Sequence, residues 1–278
     1  IELEAANGAP TAPAPPPSGS AGNAFSEKIA ETASIRGTSS FHPKGITGRV
    51  GLQNQGATCY LNSLLQSLYL DPSFRGTVYE WRYDEQKDGP QKDCIPFQLQ
   101  LLFAELQIGD NGVAKTGALT HSFGWVDGQQ YQQHDVQELM RVLLNAVELS
   151  FKEKETDPDT RITPLYSGMF EDTLECLSCG HKKVRKDPFL DIQLFIEQAN
   201  SVAEAFNIFV TPETLNGGNQ ITCDGCQKKV DANKGLRIGS VPQILTLQLK
   251  RFTYNPVTWQ RIKLSKRVTY PLYFNMTP

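Results

Sequence analysis

Two pairs of cysteines constrain the fold of this chain more than any other feature of its sequence. Each pair has the spacing C-x-x-C, with Cys176 and Cys179 in one and Cys223 and Cys226 in the other. Both pairs lie between stretches that favour extended backbone, and a K-K-V triplet closely follows each second cysteine. Zn²⁺ prefers a tetrahedron of ligands, and two such turns supply four thiolates. The sequence therefore predicts two zinc knuckles at hairpin tips.

The interval between the two pairs decides whether they can meet. Forty-three residues separate Cys179 from Cys223, which is longer than in a common zinc ribbon. A predicted strand and a short helix lie inside this interval, so the chain can leave the first knuckle and return at the second. Two alternatives remain, a redox dithiol and two free pairs that never meet, although a redox pair needs a thioredoxin-like βαβ context that is missing. With four cysteines present, His181 is expected to be a bystander.

Charge and hydropathy exclude several classes of partner. The 278 residues carry a net charge of −3, and no apolar run is long enough to span a bilayer. Between residues 176 and 237, eight Lys and Arg are opposed by seven Asp and Glu, which leaves no strong field for phosphates. We therefore expect neither nucleic acid nor a membrane as a partner. Paired thiols of this kind favour a reducing compartment, so cytoplasm and nucleus are the expected locations.

The first ordered part of the chain has the apolar spacing of amphipathic helices. Leucines recur at this spacing over 61–68, and Pro72 is expected to end that helix. A second helix is predicted around 99–106. The strongest runs from Asp135 to about Phe151, with Asp135 as its N-cap and Glu138 placed to complete a capping box. These helices are expected to pack as one helical lobe.

After Pro164 the apolar period changes from that of a helix to that of a strand. Alternating side chains predict strands at 190–196 and 245–250, and one or two more over 261–274. Ser201 is expected to cap a short helix between them. The predicted architecture is a helical lobe followed by a sheet lobe that contains the metal module.

Cys59 stands apart from the paired cysteines, in the segment GLQNQGATCYLNSLLQ, where a glycine-containing loop enters the first predicted helix. The positive end of a helix and its free N–H groups favour a thiolate, and the same N–H groups can stabilise an oxyanion. Asn54 lies five residues earlier and could donate its side-chain amide to that oxyanion. A lone cysteine before a helix is more often buried and inert, as we expect for Cys94.

A thiolate nucleophile also needs a base, usually a histidine. The chain has four candidates, which are His42, His121, His134 and His181. Spacing alone does not select among them.

Several motifs together resemble one enzyme family. GLQNQGATCYLNSLLQSL resembles the cysteine box of the ubiquitin-specific proteases, which are papain-like enzymes that remove ubiquitin from proteins. SFGWVDGQQYQQHDVQELMRVLL resembles the segment that follows this box, and LTLQLKRF resembles the central strand of the family's palm. The paired C-x-x-C turns match its zinc-ribbon fingers. The resemblance extends from about Val50 to the end of the sequence.

The resemblance implies an α+β fold, that of a papain-like cysteine peptidase with a helical thumb, a β palm and zinc-ribbon fingers. Residues 45–278 would be an incomplete catalytic domain, with the thumb over about 50–160 and the fingers and palm over about 161–278. Residues 1–44 are predicted to be a disordered leader, because their first half is dominated by Ala, Pro, Gly and Ser and has no aromatic residue.

The resemblance also assigns roles to particular residues. Cys59 would be the nucleophile and Asn54 the oxyanion-hole donor, with structural Zn²⁺ held by the four paired cysteines. Carboxylates suit a channel for the arginine-containing C-terminal tail of ubiquitin. The residues implied to line that channel are Gln133, Asp135 and Glu138. His134 matches a non-catalytic position, and Tyr254 to Gln260 resembles a loop that covers the channel.

One departure from the family affects the expected activity. The family's catalytic His lies in a glycine-rich box followed by an Asp or Asn, and this sequence contains no such box. We expect a thiol-dependent deubiquitinase, acting on ubiquitin and ubiquitinated proteins, whose base lies beyond Pro278, so the fragment would be inactive. The alternative is a non-catalytic, ubiquitin-binding zinc scaffold.

Overall fold

A computed structural model describes residues 44–45, 47–125, 135–152, 161–255 and 257–276. The chain divides into two compact units, one ending at Ile162 and the other beginning at Thr163. The predicted leader lies outside the described residues apart from Lys44, and Gln133 also lies outside them. None of the described helices has the length and apolar character needed to cross a membrane.

The unit that ends at Ile162 is mainly helical. Its helices are α1 (Cys59–Leu70), α2 (Pro72–Glu80), α3 (Glu85–Asp88), α4 (Ile95–Ile108), α5 (Gly117–Ser122) and α6 (Val136–Lys152). Two short strands, β1 (Gly51–Leu52) and β2 (Val113–Ala114), pair in parallel just before α1 and α5. The three helices predicted from periodicity correspond to α1, α4 and α6.

The ends of these helices follow the predicted signals, with two differences. Pro72 ends α1, but it also begins α2, because the Ser73 N–H donates to the Asp71 carboxylate at 3.0 Å and caps the new helix. Asp135 caps α6 as predicted by accepting from the Gln137 N–H at 2.8 Å. Val136 was expected on the buried face of α6 but is 40% exposed. It lies in the first turn of the helix.

The unit that begins at Thr163 is mainly strands. Its elements are α7 (Thr163–Tyr166), β3 (Gly168–Cys176), β4 (Lys182–Phe189), β5 (Ile192–Phe195), α8 (Val202–Val210), β6 (Glu213–Leu215), β7 (Ile221–Thr222), β8 (Lys229–Val230), β9 (Ala232–Ser240), β10 (Leu247–Lys250), β11 (Phe252–Tyr254) and β12 (Arg261–Lys263). An antiparallel sheet has the order β4-β3-β9-β6, and β5 pairs with β10 in parallel. Two antiparallel hairpins, β7–β8 and β11–β12, complete the described strands. The α+β prediction is confirmed.

The predicted strands of this unit are found, although they are shorter than expected. β5 and β10 lie inside the predicted ranges, whereas the range 261–274 contains β12 and a single bridge from Thr269 to Ser201. Ser201 caps α8 as predicted, because its hydroxyl accepts from the Glu204 N–H at 3.1 Å. The Glu204 carboxylate accepts in turn from the Asn200 N–H at 2.8 Å, which completes a capping box.

The core of this unit lies where α8 covers β5. Ile192 and Leu194 of β5 are fully buried against Val202 and Phe206 of α8. The long strand β3 enters this core at Gly168, where an added Cβ would lie 2.3 Å from the Phe189 ring. The start of the strand that leads to the first cysteine pair is therefore restricted to glycine.

Candidate functional site

The Cys59 thiol is exposed at the first residue of α1, at the end of a tight polar loop. Gly56 turns this loop with a φ of +127°, in a region that residues with a side chain rarely adopt. The Asn54 side-chain oxygen accepts hydrogen bonds from the N–H of Gly56 at 3.0 Å and of Thr58 at 3.3 Å. It also accepts from the Thr58 hydroxyl at 3.2 Å. Asn54 therefore orders the chain immediately before the thiol.

These bonds determine which end of the Asn54 amide is available for chemistry. All three use Oδ1, and the two backbone donors can only bond to an oxygen. Within the described residues Nδ2 makes no hydrogen bond, so its two protons can be donated to a ligand. This geometry suits the predicted oxyanion-hole role of Asn54, which remains a prediction.

The Gln55 side chain was missed by sequence reasoning and links this loop to α5. Its Nε2 donates to the Thr116 hydroxyl at 2.6 Å, and its Oε1 accepts from the Thr120 hydroxyl at 3.2 Å. Its own backbone N–H donates to the Thr58 hydroxyl at 3.0 Å. The available signal was the amide side chain within the loop, but the sequence does not reveal its distant partners.

Two amide side chains on α1 hold the other end of the loop. Asn62 donates through Nδ2 to the carbonyl oxygens of Leu52 and Gln53 at 3.2 and 3.3 Å. Gln66, one turn further along, donates to the Val50 carbonyl oxygen at 2.9 Å. Both are polar positions on a leucine-rich helix, and that interruption was the sequence signal. The loop before Cys59 is thus fixed both by α1 and by α5.

The described residues of the predicted tail channel lie at the start of α6. Asp135 and Glu138 are both exposed, and Asp135 is the N-cap of the helix. Negative charge is favoured at this end of a helix, so capping alone accounts for Asp135. Both carboxylates are exposed, and their role in the channel remains a prediction.

The two C-x-x-C pairs come together as predicted. The Sγ atoms of Cys176 and Cys226 are 3.8 Å apart, and those of Cys179 and Cys223 are 3.7 Å apart. All four Sγ atoms lie within 4.8 Å of one another. In a tetrahedral site with Zn–S bonds of about 2.3 Å, neighbouring sulfurs are about 3.8 Å apart. The residues therefore fit a metal ion bound by four thiolates.

The two knuckles have the same backbone hydrogen bonds. The N–H of Cys176 donates to the His181 carbonyl oxygen at 2.9 Å, and that of Cys223 donates to the Lys228 carbonyl oxygen at 3.1 Å. The fifth residue of each turn returns a hydrogen bond to the first cysteine and has a positive φ. These residues are Gly180, with φ 71°, and Gln227, with φ 56°.

The ionisation of the clustered thiols is uneven. Hydrogen bonds from the backbone N–H groups of Cys179 and Ser178 lower the pKa of Cys176 to about 7. Hydrogen bonding to the Cys179 thiol, together with burial, raises the pKa of Cys226 to about 12. One thiolate forms readily, but a second beside it is disfavoured by the negative charge of the first. A bound dication would remove this penalty, which is the behaviour of a metal site.

Comparison with known proteins identifies the class to which this arrangement belongs. Residues 50–278 match the sequence pattern described as Ubiquitin carboxyl-terminal hydrolase. Because the match covers most of the sequence, the chain belongs to the ubiquitin carboxyl-terminal hydrolase family. The papain-like α+β class expected from the sequence motifs is thereby confirmed.

Individual relatives narrow the comparison within this family. The chain is 45% identical over 246 residues to Ubiquitin carboxyl-terminal hydrolase 47 of Xenopus laevis, a match that covers 86% of the chain and 18% of that protein. It is 44% identical over 269 residues to the Homo sapiens protein of the same name, covering 95% of the chain and 19% of the relative. The chain is also 36% identical to human Ubiquitin carboxyl-terminal hydrolase 40, covering 85% of the chain and 20% of that protein. The chain thus spans about a fifth of the length of these relatives.

Proposed function

We propose that this chain carries the nucleophile of a deubiquitinase that hydrolyses the isopeptide bond after the C-terminal glycine of ubiquitin. One observation carries the proposal, namely the exposed Cys59 thiol at the N-terminus of α1, preceded by a loop that Asn54 orders. Membership of the ubiquitin carboxyl-terminal hydrolase family supports it. The names of the relatives state the substrate, which we extend here to this chain.

The proposed reaction proceeds in two covalent steps. The Cys59 thiolate attacks the carbonyl carbon of the glycine, and the carbonyl oxygen becomes an oxyanion that accepts hydrogen bonds from Asn54 Nδ2 and from N–H groups at the start of α1. The C–N bond then breaks, and the lysine amine leaves with a proton supplied by a general acid. Water attacks the resulting thioester, the C–S bond breaks, and the thiolate is regenerated.

This reaction needs a base that also acts as the leaving-group acid. The sequence has no glycine-rich histidine box of the kind that the family carries, so we propose that a longer chain supplies this group. Turnover is then expected from a chain that includes such a box and not from these 278 residues alone. Covalent capture of an electrophile requires an accessible thiol at Cys59 but no turnover.

The start of α6 is proposed to bind the extended tail of ubiquitin. Asp135 and Glu138 place two exposed carboxylates there, and charge-assisted hydrogen bonds would join them to the arginines and backbone N–H groups of the tail. Gln133, two residues before Asp135, is proposed to take part with its side-chain amide.

The four-thiol cluster is proposed to hold Zn²⁺. Cys176, Cys179, Cys223 and Cys226 would be its ligands, and no coordination position is left open for catalysis. A bound Zn²⁺ would link β3–β4 to β7–β8 through these four cysteines. A folding role agrees with the small number of apolar side chains packed around the cluster.

A ubiquitin probe with a C-terminal electrophile tests the proposal on the present chain. Covalent capture is expected at Cys59, is expected to be lost in Cys59→Ala, and is expected to persist in the control Cys94→Ala, where the replaced cysteine is buried. Mass spectrometry of the adduct identifies the modified residue. A probe that binds tightly but forms no adduct would instead support the non-catalytic ubiquitin-binding scaffold.

A further inference from the structure

Charge is unevenly distributed along the chain. Residues 232–278 contain eight Lys and Arg and no Asp or Glu, although the chain as a whole has a net charge of −3. The first 231 residues therefore carry eleven surplus negative charges, and the last 47 carry eight positive ones. A segment of this sign and density attracts anionic groups wherever its cations are exposed and unpaired.

Two of these cations lie on the β11–β12 hairpin together with two aromatic side chains. The register places Phe252 opposite Lys263 and Tyr254 opposite Arg261. Residues directly opposite one another in an antiparallel pair share a face, so these four side chains lie on the same side of the hairpin. Phe252 is 50% exposed and Tyr254 is 64% exposed, and both cations are exposed as well. The Arg261 guanidinium lies over the Phe252 ring at 4.2 Å from its centroid.

An acidic group, Glu197, contacts the opposite face of this hairpin. The Thr253 hydroxyl lies 3.5 Å from the Glu197 carboxylate, and Thr253 is paired with Ile262 on that side. Among the described residues, neither Arg261 nor Lys263 forms an ion pair. Other cations nearby are already engaged, since Arg251 donates to carbonyl oxygens at 2.9 and 3.2 Å. The charge of Arg261 and Lys263 is therefore available to a partner.

The tip of the same hairpin exposes a large aromatic side chain in a strained conformation. Trp259 is 78% exposed and has a φ of 57°. The left-handed region is unfavourable for a residue with a side chain, and here two backbone hydrogen bonds hold it. The Trp259 N–H donates to the Asn255 carbonyl oxygen at 2.8 Å, and the Asn255 N–H donates to the Gln260 carbonyl oxygen at 2.9 Å. Such strain is retained most often where it presents a side chain for function.

We propose that the hairpin face formed by Phe252, Tyr254, Arg261 and Lys263, with the exposed Trp259 at the hairpin tip, binds an extended acidic polypeptide segment that carries a carboxylate at every second residue. Arg261 and Lys263 are two residues apart on one strand, about 7 Å. Carboxylates two residues apart on an extended peptide have the same spacing and point to the same face, so their methylene stems would contact the aromatic rings. Ubiquitin's arginine-containing tail would be repelled by these cations, so the partner differs from that tail.

The observations favour a polypeptide over a nucleic acid. Two unpaired cations make few phosphate contacts, and nucleic-acid affinity at physiological salt depends on many. A short peptide needs only the paired carboxylates and the apolar contacts. Oligonucleotide binding is accordingly an outcome that the experiment must exclude.

Fluorescence anisotropy on the zinc-loaded 278-residue chain tests this proposal. The probes are a labelled peptide of alternating Glu and Leu, a peptide of alternating Lys and Leu, and an oligouridylate of equal length. We expect the acidic peptide alone to bind. The double variant Arg261→Gln/Lys263→Gln is expected to weaken it about tenfold, because two charge-assisted contacts are lost. Trp259→Gly, which also relieves the strained φ, is expected to weaken it several-fold.

The matched control changes two lysines on another exposed hairpin. Lys228→Gln/Lys229→Gln removes the same charge beside β7–β8 and is expected to alter the affinity less than about twofold. Equal weakening by both double variants would overturn the proposal, since it would indicate only a response to net charge. Oligouridylate binding that is as tight as that of the acidic peptide, or no acidic-peptide binding, would overturn it too. None of these measurements depends on turnover, so the deubiquitinase proposal is tested separately.

Discussion

Removal of the metal is expected to unfold the knuckle tip, defined as residues 176–181 and 221–230, before the rest of its unit. The apolar side chains packed there are few, with Val230 buried and Ile221 partly buried against the cysteines. Burial of two such side chains contributes at most about 3–6 kcal/mol. Four thiolates on Zn²⁺ contribute on the order of 10 kcal/mol or more. The metal is thus expected to be the largest stabilising contribution in the knuckle tip.

Hydrogen exchange with and without a chelator measures this effect residue by residue. The N–H groups of Cys176 and Cys223, which donate across the two turns, are expected to lose protection when zinc is withdrawn. Amides at the far end of β3 and in α8 are expected to keep theirs, because they belong to the core around Phe206. Unchanged protection over 221–230, with zinc release confirmed by a colorimetric indicator, would refute the reasoning. Addition of zinc after chelation should restore the original pattern.

Four further predictions concern single side chains. In a chain that also contains a histidine box, Asn54→Ala and Asn54→Asp are both expected to lower kcat about 100-fold. Because Asp retains the oxygen that orders the loop, a near-normal Asn54→Asp enzyme would contradict the donor role. Gln55→Leu removes two hydrogen bonds worth about 1–3 kcal/mol in total. The Thr58 N–H is then expected to exchange faster with solvent. An unchanged exchange rate would argue against a role of Gln55 in positioning the loop. Gly180→Ala is expected to cost about 1–2 kcal/mol in zinc-binding free energy, as measured by chelator competition. Gln227→Gly should not weaken zinc binding, since the native Gln227 already carries the cost of a positive φ in a residue with a side chain.

The helices could be predicted from the sequence because local periodicity determines them. Leu61 and Leu65 are buried on α1 as their spacing indicates, and the capping signals at Asp135 and Ser201 operate as expected. The exposure of Val136 was not predicted, because apolar spacing along a helix does not show whether another element packs against the residues at its end. The short length of β12 has a similar cause, since strand pairing is non-local.

Candidate reactive groups could be named from the sequence, but their supporting contacts could not. Cys59, Asn54 and the paired cysteines were named because their chemistry is tied to short motifs. The clustering of the four paired thiols is confirmed, and the roles of Cys59 and Asn54 remain predictions. The partners of Gln55 are 61 and 65 residues away in sequence, at Thr116 and Thr120, and no local pattern indicates them. The pairing of Phe252 and Tyr254 with Lys263 and Arg261 could not be predicted for a related reason, because strand register is non-local.

The near-identity of the two knuckles has a consequence for protein engineering. The Sγ atom of the first cysteine of each turn lies close to that of the second cysteine of the other turn, at 3.8 and 3.7 Å, so an approximate two-fold axis relates the four sulfurs. An ion on that axis would meet almost the same surroundings from either hairpin. Exchanging the segments CLSCGH and CDGCQK should then preserve zinc binding. The two turns could also be transplanted into an unrelated polypeptide, where a bound zinc ion would join two distant points of its chain.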